Sequence, residues 1–302
     1  MHTEIQLVEQ QLNRVILGKS QQIRLALTCL LAEGHLLLED LPGMGKTTLA
    51  HALAESLGLS YRRVQFTSDL LPADLTGFSI FDARSQQFTF RPGPVFSQVL
   101  LADEINRASP KTQSALLEAM EEHQVSVDGE TRPLPDPFFV IATQNPLFHS
   151  GTNALPESQL DRFLIRLSLG FPDRAAELQL LQQDNSPSQH TIVPALLSAE
   201  QLKILQQQIP LQQISQEVLS YILDLVGHSR TRTDMLPLSP RAAKGLVRAA
   251  KAYSFLLQRS YVTADDVQAV FAAVAEHRLQ PRQQQQFSGL AQQLLLETPC
   301  LV

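Results

Sequence analysis

The sequence predicts an α/β fold: a parallel sheet with inserted β-hairpins, followed by a small all-helical domain. Three observations predict it. Up to about residue 169, short apolar runs alternate with helix-patterned segments, and that alternation implies a parallel sheet covered on both faces. The run Val99-Leu100-Leu101-Ala102 is apolar at every position, as a strand buried on both faces requires. After Pro172 the strand signals fade and helical patterns take over.

In chain order, strands are expected at 35–39, 61–66, 99–103, 138–143 and 164–169, and helices at 46–57, 110–122 and 157–162. Cys29 is expected in the core, within an apolar helix over 25–32. Two segments interrupt this pattern. Segment 78–90 places aromatics or Ile at alternating positions around a polar middle, and reads as a hairpin. Segment 124–132 carries Val125 and Val127 and then Asp128-Gly129, a strong two-residue turn signal. Beyond a boundary near 170–173, helices are expected at 173–184, 199–208, 215–230, 240–258 and 264–277. Ser198 and Thr263 precede two of them as caps, and Ser239-Pro240 puts proline at the first helical position. A polar run at 283–286 leads to a last helix over 288–296. The division is therefore 1–170, 171–280 and a tail, 281–302.

Composition bounds the function. The 302 residues are 44% hydrophobic, enough for a sizeable core. Lys plus Arg is 24 against 30 Asp plus Glu, a formal charge of -6, so nucleic acid and anionic membrane surfaces are not the expected partners. The N-terminus shows no secretory pattern, and no apolar run approaches the roughly 20 residues of a membrane span. Two cysteines make no disulfide framework, which points to a reducing, cytoplasmic setting. Gln is abundant, 33 in all with 20 from residue 179 onward, and reads as a polar surface on the helical part.

The strongest chemical signal is Leu36-Leu37-Leu38-Glu39-Asp40-Leu41-Pro42-Gly43-Met44-Gly45-Lys46-Thr47-Thr48. An apolar strand, a Gly/Pro loop and a helix start follow one another. The form G-x-x-x-x-G-K-[ST] has Gly where Asp40 stands, and the rest fits. Backbone N–H groups from Gly43 to Thr48 would cradle phosphates at a helix N-terminus. Lys46 would reach the β- and γ-phosphates, and Thr47 would offer its hydroxyl to Mg2+. The second signal is Asp103-Glu104 at the end of the apolar 99–103 strand. One carboxylate there would hold the metal and the other would orient a water for in-line attack. The third is Asn145, at the carboxyl end of the 138–143 strand, where open α/β sheets bind ligands.

Gly-Met-Gly-Lys-Thr-Thr, Ala-Asp-Glu-Ile-Asn-Arg-Ala, Ala-Thr-Gln-Asn-Pro and Leu-Pro-Glu-Ser-Gln-Leu-Asp-Arg-Phe occur in that order. With Phe66 to Gly77, Gly151-Thr152, Leu238-Ser239-Pro240-Arg241-Ala242 and Tyr261 to Val267, they make the chain resemble an AAA+ ATPase of the MoxR family from about Val15 to Leu279. The family tolerates Asp40. It often has an aromatic at Asn153, and Gly-Ala at Pro237-Leu238.

The resemblance implies a P-loop AAA+ core with a helical lid, using ATP and Mg2+. By carry-over, Lys46 is a phosphate ligand, Thr47 and Asp103 are magnesium ligands, and Glu104 is the catalytic base. Asn145 is the γ-phosphate sensor, Arg162 an arginine finger acting on a neighbouring subunit, and Arg241 the second sensor. Ile16, Leu17 and Gly18 line the adenine pocket. Segment 78–90 matches the family's helix-two insert and 124–132 its hairpin before the sensor strand. The implied function is a hexameric ring that remodels or matures protein clients, with von Willebrand factor A-type partners. Two other readings stand beside it. One is a nucleotide-switched scaffold with slow hydrolysis. The other is a DNA motor, disfavoured because the hairpins carry Arg84 and Arg132 beside Asp82, Asp128 and Glu130.

Overall fold

The computed structural model describes residues 2–84, 86–145, 153, 155–182, 194–280 and 289–300. The chain opens with α1 (His2–Val15) and α2 (Ser20–Leu31), then runs through β1 (Leu36–Glu39), α3 (Lys46–Ser56), β2 (Tyr61–Gln65) and a short α4 (Pro72–Thr76). The hairpin β3 (Gly77–Asp82) and β4 (Gln87–Pro92) follows, then β5 (Val99–Asp103) and α5 (Pro110–Glu122). A second hairpin, β6 (Gln124–Val127) and β7 (Glu130–Pro133), precedes β8 (Phe139–Gln144), α6 (Glu157–Leu160) and β9 (Ile165–Leu167). The remainder is α7 (Arg174–Gln182), α8 (Ala199–Gln208), β10 (Gln213–Ile214), α9 (Gln216–Thr231), α10 (Pro240–Leu256), β11 (Tyr261–Val262), α11 (Ala264–Ala275) and α12 (Leu290–Glu297).

The main sheet has the order β2-β5-β8-β1-β9, and every pairing in it is parallel. Register aligns Gln65 with Asp103, Ala102 with Ala142, and Glu39 with Gln144. The residues that leave β5, β8 and β1 therefore emerge along one rim. Side chains alternate across a strand, and the all-apolar strands supply both faces. Leu36 and Leu38 enter a core shared with α1, α2, α3 and the helices after residue 194. Leu37 enters the opposite core with Leu116, Leu117 and Phe163. Leu100 and Ala102 split from Val99 and Leu101 in the same way.

The α/β expectation holds, and its edges move for physical reasons. The 164–169 strand stops at Leu167 because the next backbone N–H groups turn to the Asp40 carboxylate instead of the ladder. The 157–162 helix stops at Leu160, because Arg278 and Ser239 hold Asp161 and Arg278 also takes the Phe163 carbonyl. The helices α1 and α4 and the small β10–β11 pair were not expected from the sequence. Helix α2 packs on α10, and Gln206 Nε2 donates to the Leu30 carbonyl at 2.8 Å. Cys29 is fully buried there. Gly34 ends this packing, since a Cβ there would lie 2.4 Å from Leu164. The 283–286 run, Pro146 and Gly151-Thr152 lie outside the described residues. None of the described helices is long and apolar enough to cross a membrane.

Candidate active site

Between β1 and α3 the chain must reverse within six residues and start a helix. Gly43 and Gly45 both take φ +85°, a left-handed conformation that only glycine adopts freely. A Cβ at either would meet nothing within 4 Å, so backbone conformation demands glycine here, and packing does not. Lys46 is the first residue of α3 and is buried. Its Nζ donates to the Asp40 carbonyl (2.6 Å), the Leu41 carbonyl (3.1 Å) and Asn145 Oδ1 (3.4 Å). Burial lowers its pKa, opposed by the charges of Asp40, Asp103 and Glu104.

Asp103 closes β5. Its Oδ1 accepts from Thr143 Oγ1 (2.6 Å), and its Oδ2 accepts from Arg63 Nη2 (2.5 Å). Glu104 follows in a left-handed turn, φ +56°, which swings its side chain to the rim. Its Oε1 accepts from Asn145 Nδ2 (3.0 Å), and its Oε2 accepts from Gln65 Nε2 (3.0 Å) and faces Arg107 Nε (3.0 Å). Asn145 thus joins lysine and glutamate through the two ends of one amide. A cavity of about 400 Å³ is lined by Pro42 to Thr48, Arg63, Gln65, Asp103, Glu104 and Asn145. Glycines, cation, hydroxyl, carboxylates and amide converge on one space, as a polyphosphate chain and an attacking water require.

The donor set also suits Mg2+. Asp103 and the Thr47 hydroxyl are hard oxygen donors on the same cavity. Magnesium binds through one or two carboxylates plus phosphate oxygens and keeps several waters. Among the described residues no group of three or more His, Cys, Asp or Glu forms an all-protein metal cage.

The remaining expected residues stand elsewhere. Arg162 lies just past α6, donates through Nη1 to the Leu117 carbonyl, and pairs through Nη2 with Glu121 at 2.8 Å. Arg241, in the first turn of α10, pairs with the other Glu121 oxygen at 2.8 Å. Both line a second cavity of about 170 Å³ with Gly34 and His35, which precede β1, and with Arg248 and Arg278. Since β1 leads from Gly34 and His35 to Asp40, this cavity and the P loop lie at opposite ends of the sheet. Arg241 is not brought to the P loop of its own chain. Ile16 is buried, and Gly18 (φ +69°) packs against Ala176 and Asp173 at the start of α7, off the P-loop cavity. Arg63 and Gln65, which the sequence marks only as strand residues, also belong to the site. Their signal is two polar side chains at alternate positions near the carboxyl end of the edge strand β2, facing Asp103 and Glu104.

Residues 35–165 match the profile of the ATPase family associated with various cellular activities (AAA), and residues 235–297 match the AAA lid domain. The chain is 46% identical over 283 residues to the protein YeaC of Bacillus subtilis, covering 93% of this chain and 88% of that one. It is 37% identical over 280 residues to Chaperone MoxR1 of Mycobacterium tuberculosis, covering 89% of this chain and 74% of that one. The solved structure of a proposed ATPase from Cytophaga hutchinsonii superposes with a TM-score of 0.90 at 33% identity, over 99% of this chain and 94% of that one. With a P loop, an Asp-Glu strand end and a helical lid in this order, the chain belongs to the MoxR family of AAA+ ATPases.

Proposed function

We propose that this chain is a Mg2+-dependent ATPase that closes into a hexameric ring and uses hydrolysis to remodel or mature client proteins, together with von Willebrand factor A-type partners. One observation carries the ATPase and ring parts. Lys46, Asn145 and Glu104 form a hydrogen-bonded line in one cavity, while Arg162 and Arg241 share Glu121 at the far end of the sheet. A subunit holds its phosphate-binding end and its Glu121-paired arginine end apart, so each arginine end suits a neighbour's nucleotide.

In this reading, backbone N–H groups from Gly43 to Thr48 and the Lys46 ammonium hold the phosphates. Thr47 and Asp103 would hold Mg2+, which when bound would supply charge neutralisation to the phosphates. Glu104, oriented by Gln65 and Asn145, takes the proton of the attacking water. Asn145 registers the γ-phosphate because its amide already spans Lys46 and Glu104. Ile16 to Gly18 provide the adenine wall beside the start of the lid. Residues 1–170 act as the nucleotide core, 171–280 as the lid and 281–302 as the tail.

Arg162 and Arg241 complete the transition-state charge from the next subunit. Such a finger is worth roughly 10³–10⁵ in rate. Two inactive variants test this. Lys46→Ala lacks the phosphate cation and Arg162→Ala lacks the finger. Mixed in equal amounts, they create interfaces where an intact P loop meets an intact finger, and turnover should return. Turnover that stays at the level of the separate variants refutes action across the interface. Turnover per subunit that is flat through the concentration range of assembly refutes the ring. Client capture in ATP, in ADP and by Glu104→Gln separates a motor from a nucleotide-switched scaffold, since only the motor needs turnover.

A further inference from the structure

The ATPase reading leaves one motif position unused. Where the general P-loop form has glycine, this chain has Asp40, and its side chain is buried. Every polar atom of the residue is engaged. Oδ1 accepts from Ser168 Oγ (2.7 Å) and Gly170 N (3.1 Å), and Oδ2 accepts from Leu169 N (2.5 Å). The carbonyl accepts from Lys46 Nζ (2.6 Å), and the backbone N–H reaches the Gln144 carbonyl at 3.4 Å. The residue thus faces two ways. Its main chain holds the phosphate-binding lysine, and its carboxylate holds the chain as it leaves β9.

That exit leads straight to the lid. Gly170 turns the chain at φ +61°. The Phe171 carbonyl accepts from Lys19 Nζ at 2.6 Å, and the Asp173 carboxylate accepts from Ala176 N to start α7. Glycine at position 40 would leave the buried Leu169 N–H without its acceptor, and buried donors seldom go unpaired, while the exposed Ser168 hydroxyl and the half-buried Gly170 N–H would turn to water and release the exit. Hydrogen bonds to a carboxylate are also stronger than those to a neutral acceptor. A neighbouring tie, Arg166 to Glu39 at 2.9 Å, joins β9 to β1 one residue earlier.

We propose that Asp40 is a positioning residue that couples the P loop to the core–lid junction. When Lys46 exchanges the Asp40 carbonyl for a phosphate, the loop segment carrying Asp40 is free to shift, and its carboxylate carries residues 168–170 and the start of α7 with it. Nucleotide state at the P loop thereby sets the orientation of the lid. The proposal rests on Lys46 binding the nucleotide.

The test places one label on Glu118→Cys in α5 and one on Gln216→Cys in α9, with Cys29 and Cys300 replaced by serine. Their separation is read with no nucleotide, with ADP and with a non-hydrolysable ATP analogue, alongside nucleotide affinity and steady-state turnover. The unaltered Asp40 background should show a nucleotide-dependent change in separation. Asp40→Gly and Asp40→Asn should bind nucleotide within about threefold of that background, lose most of the change in separation, and turn over at least tenfold more slowly at similar KM. Ser168→Ala, which removes one donor from the other side and leaves the P loop intact, should lose part of the change, and it keeps the test open if the Asp40 variants do not fold. A full nucleotide response in folded Asp40 variants, or in Ser168→Ala should those not fold, overturns the coupling, as does a lack of response with Asp40 present. Binding that is indifferent to Lys46→Ala overturns instead the nucleotide site on which the coupling rests.

Discussion

Replacing Glu104 with Gln should separate catalysis from stability by a wide margin. The substitution keeps side-chain volume and leaves the left-handed backbone at φ +56° as it was, since Gln and Glu suffer the same steric cost there. It alters three contacts: Asn145 Nδ2 at 3.0 Å, Gln65 Nε2 at 3.0 Å and Arg107 Nε at 3.0 Å. Arg107 is half exposed, so its ion pair contributes only about 0–1 kcal/mol. The amide oxygen still accepts from one side. The fold should therefore lose less than about 1.5 kcal/mol, a change of a few degrees in Tm. Removing a positioned general base costs about 10²–10⁴ in rate, or roughly 3–5 kcal/mol of transition-state stabilisation. The assay is phosphate release at saturating ATP, paired with equilibrium binding of a fluorescent ATP analogue. ATP binding should persist while turnover falls by at least a hundredfold. Turnover within tenfold of the parent, with binding intact, refutes Glu104 as the base.

Other outcomes follow from the same geometry. Lys46→Ala removes the ammonium held between two loop carbonyls and Asn145, and nucleotide affinity measured by calorimetry should fall at least thirtyfold. Leu101→Ala opens a cavity under the second strand of the sheet, where the side chain is fully buried, and should cost about 2–5 kcal/mol in urea unfolding. His35 accepts from Val140 N through Nδ1 at 3.1 Å and donates through Nε2 to the Met120 carbonyl at 3.2 Å, so it is held neutral, and burial pushes its pKa down to about 4. The unfolded chain, with His near 6.5, then binds more protons than the folded one between pH 6.5 and 4. Stability present above pH 6.5 is lost as pH falls toward 4, by up to about 1.4 kcal/mol per pH unit for this one ring. Urea midpoints from pH 7.5 to 4.5 should show a shallower slope in His35→Gln. The slope should not vanish, because burial and Arg278 lower the pKa of His277 in the same direction.

The parts of the site legible in the sequence are those built by consecutive residues. A strand that ends in Gly43-Met44-Gly45-Lys46 and starts a helix reads as a phosphate loop because the glycine conformations, the lysine and the helix N-terminus all lie within one short stretch. Asp103, Glu104 and Asn145 are legible because each terminates an apolar run, and a parallel sheet brings such ends to one rim. Arg63 and Gln65 are not legible because their neighbours in sequence say nothing of what lies across the strand. The early end of β9 is not legible for the same reason, since Asp40, the acceptor that diverts its backbone, stands 129 residues from Leu169.

The sequence by itself determined the fold class, the phosphate loop and the carboxylate and amide that face it, because strand period, loop conformation and helix capping are local properties of consecutive residues. Tertiary structure alone decided that Arg162 and Arg241 meet on Glu121 away from their own P loop, and that Asp40 spends its carboxylate on the core–lid junction. Those pairings join residues 41 to 130 positions apart, so they exist only once the sheet has set its strand order and the helices have closed on both of its faces.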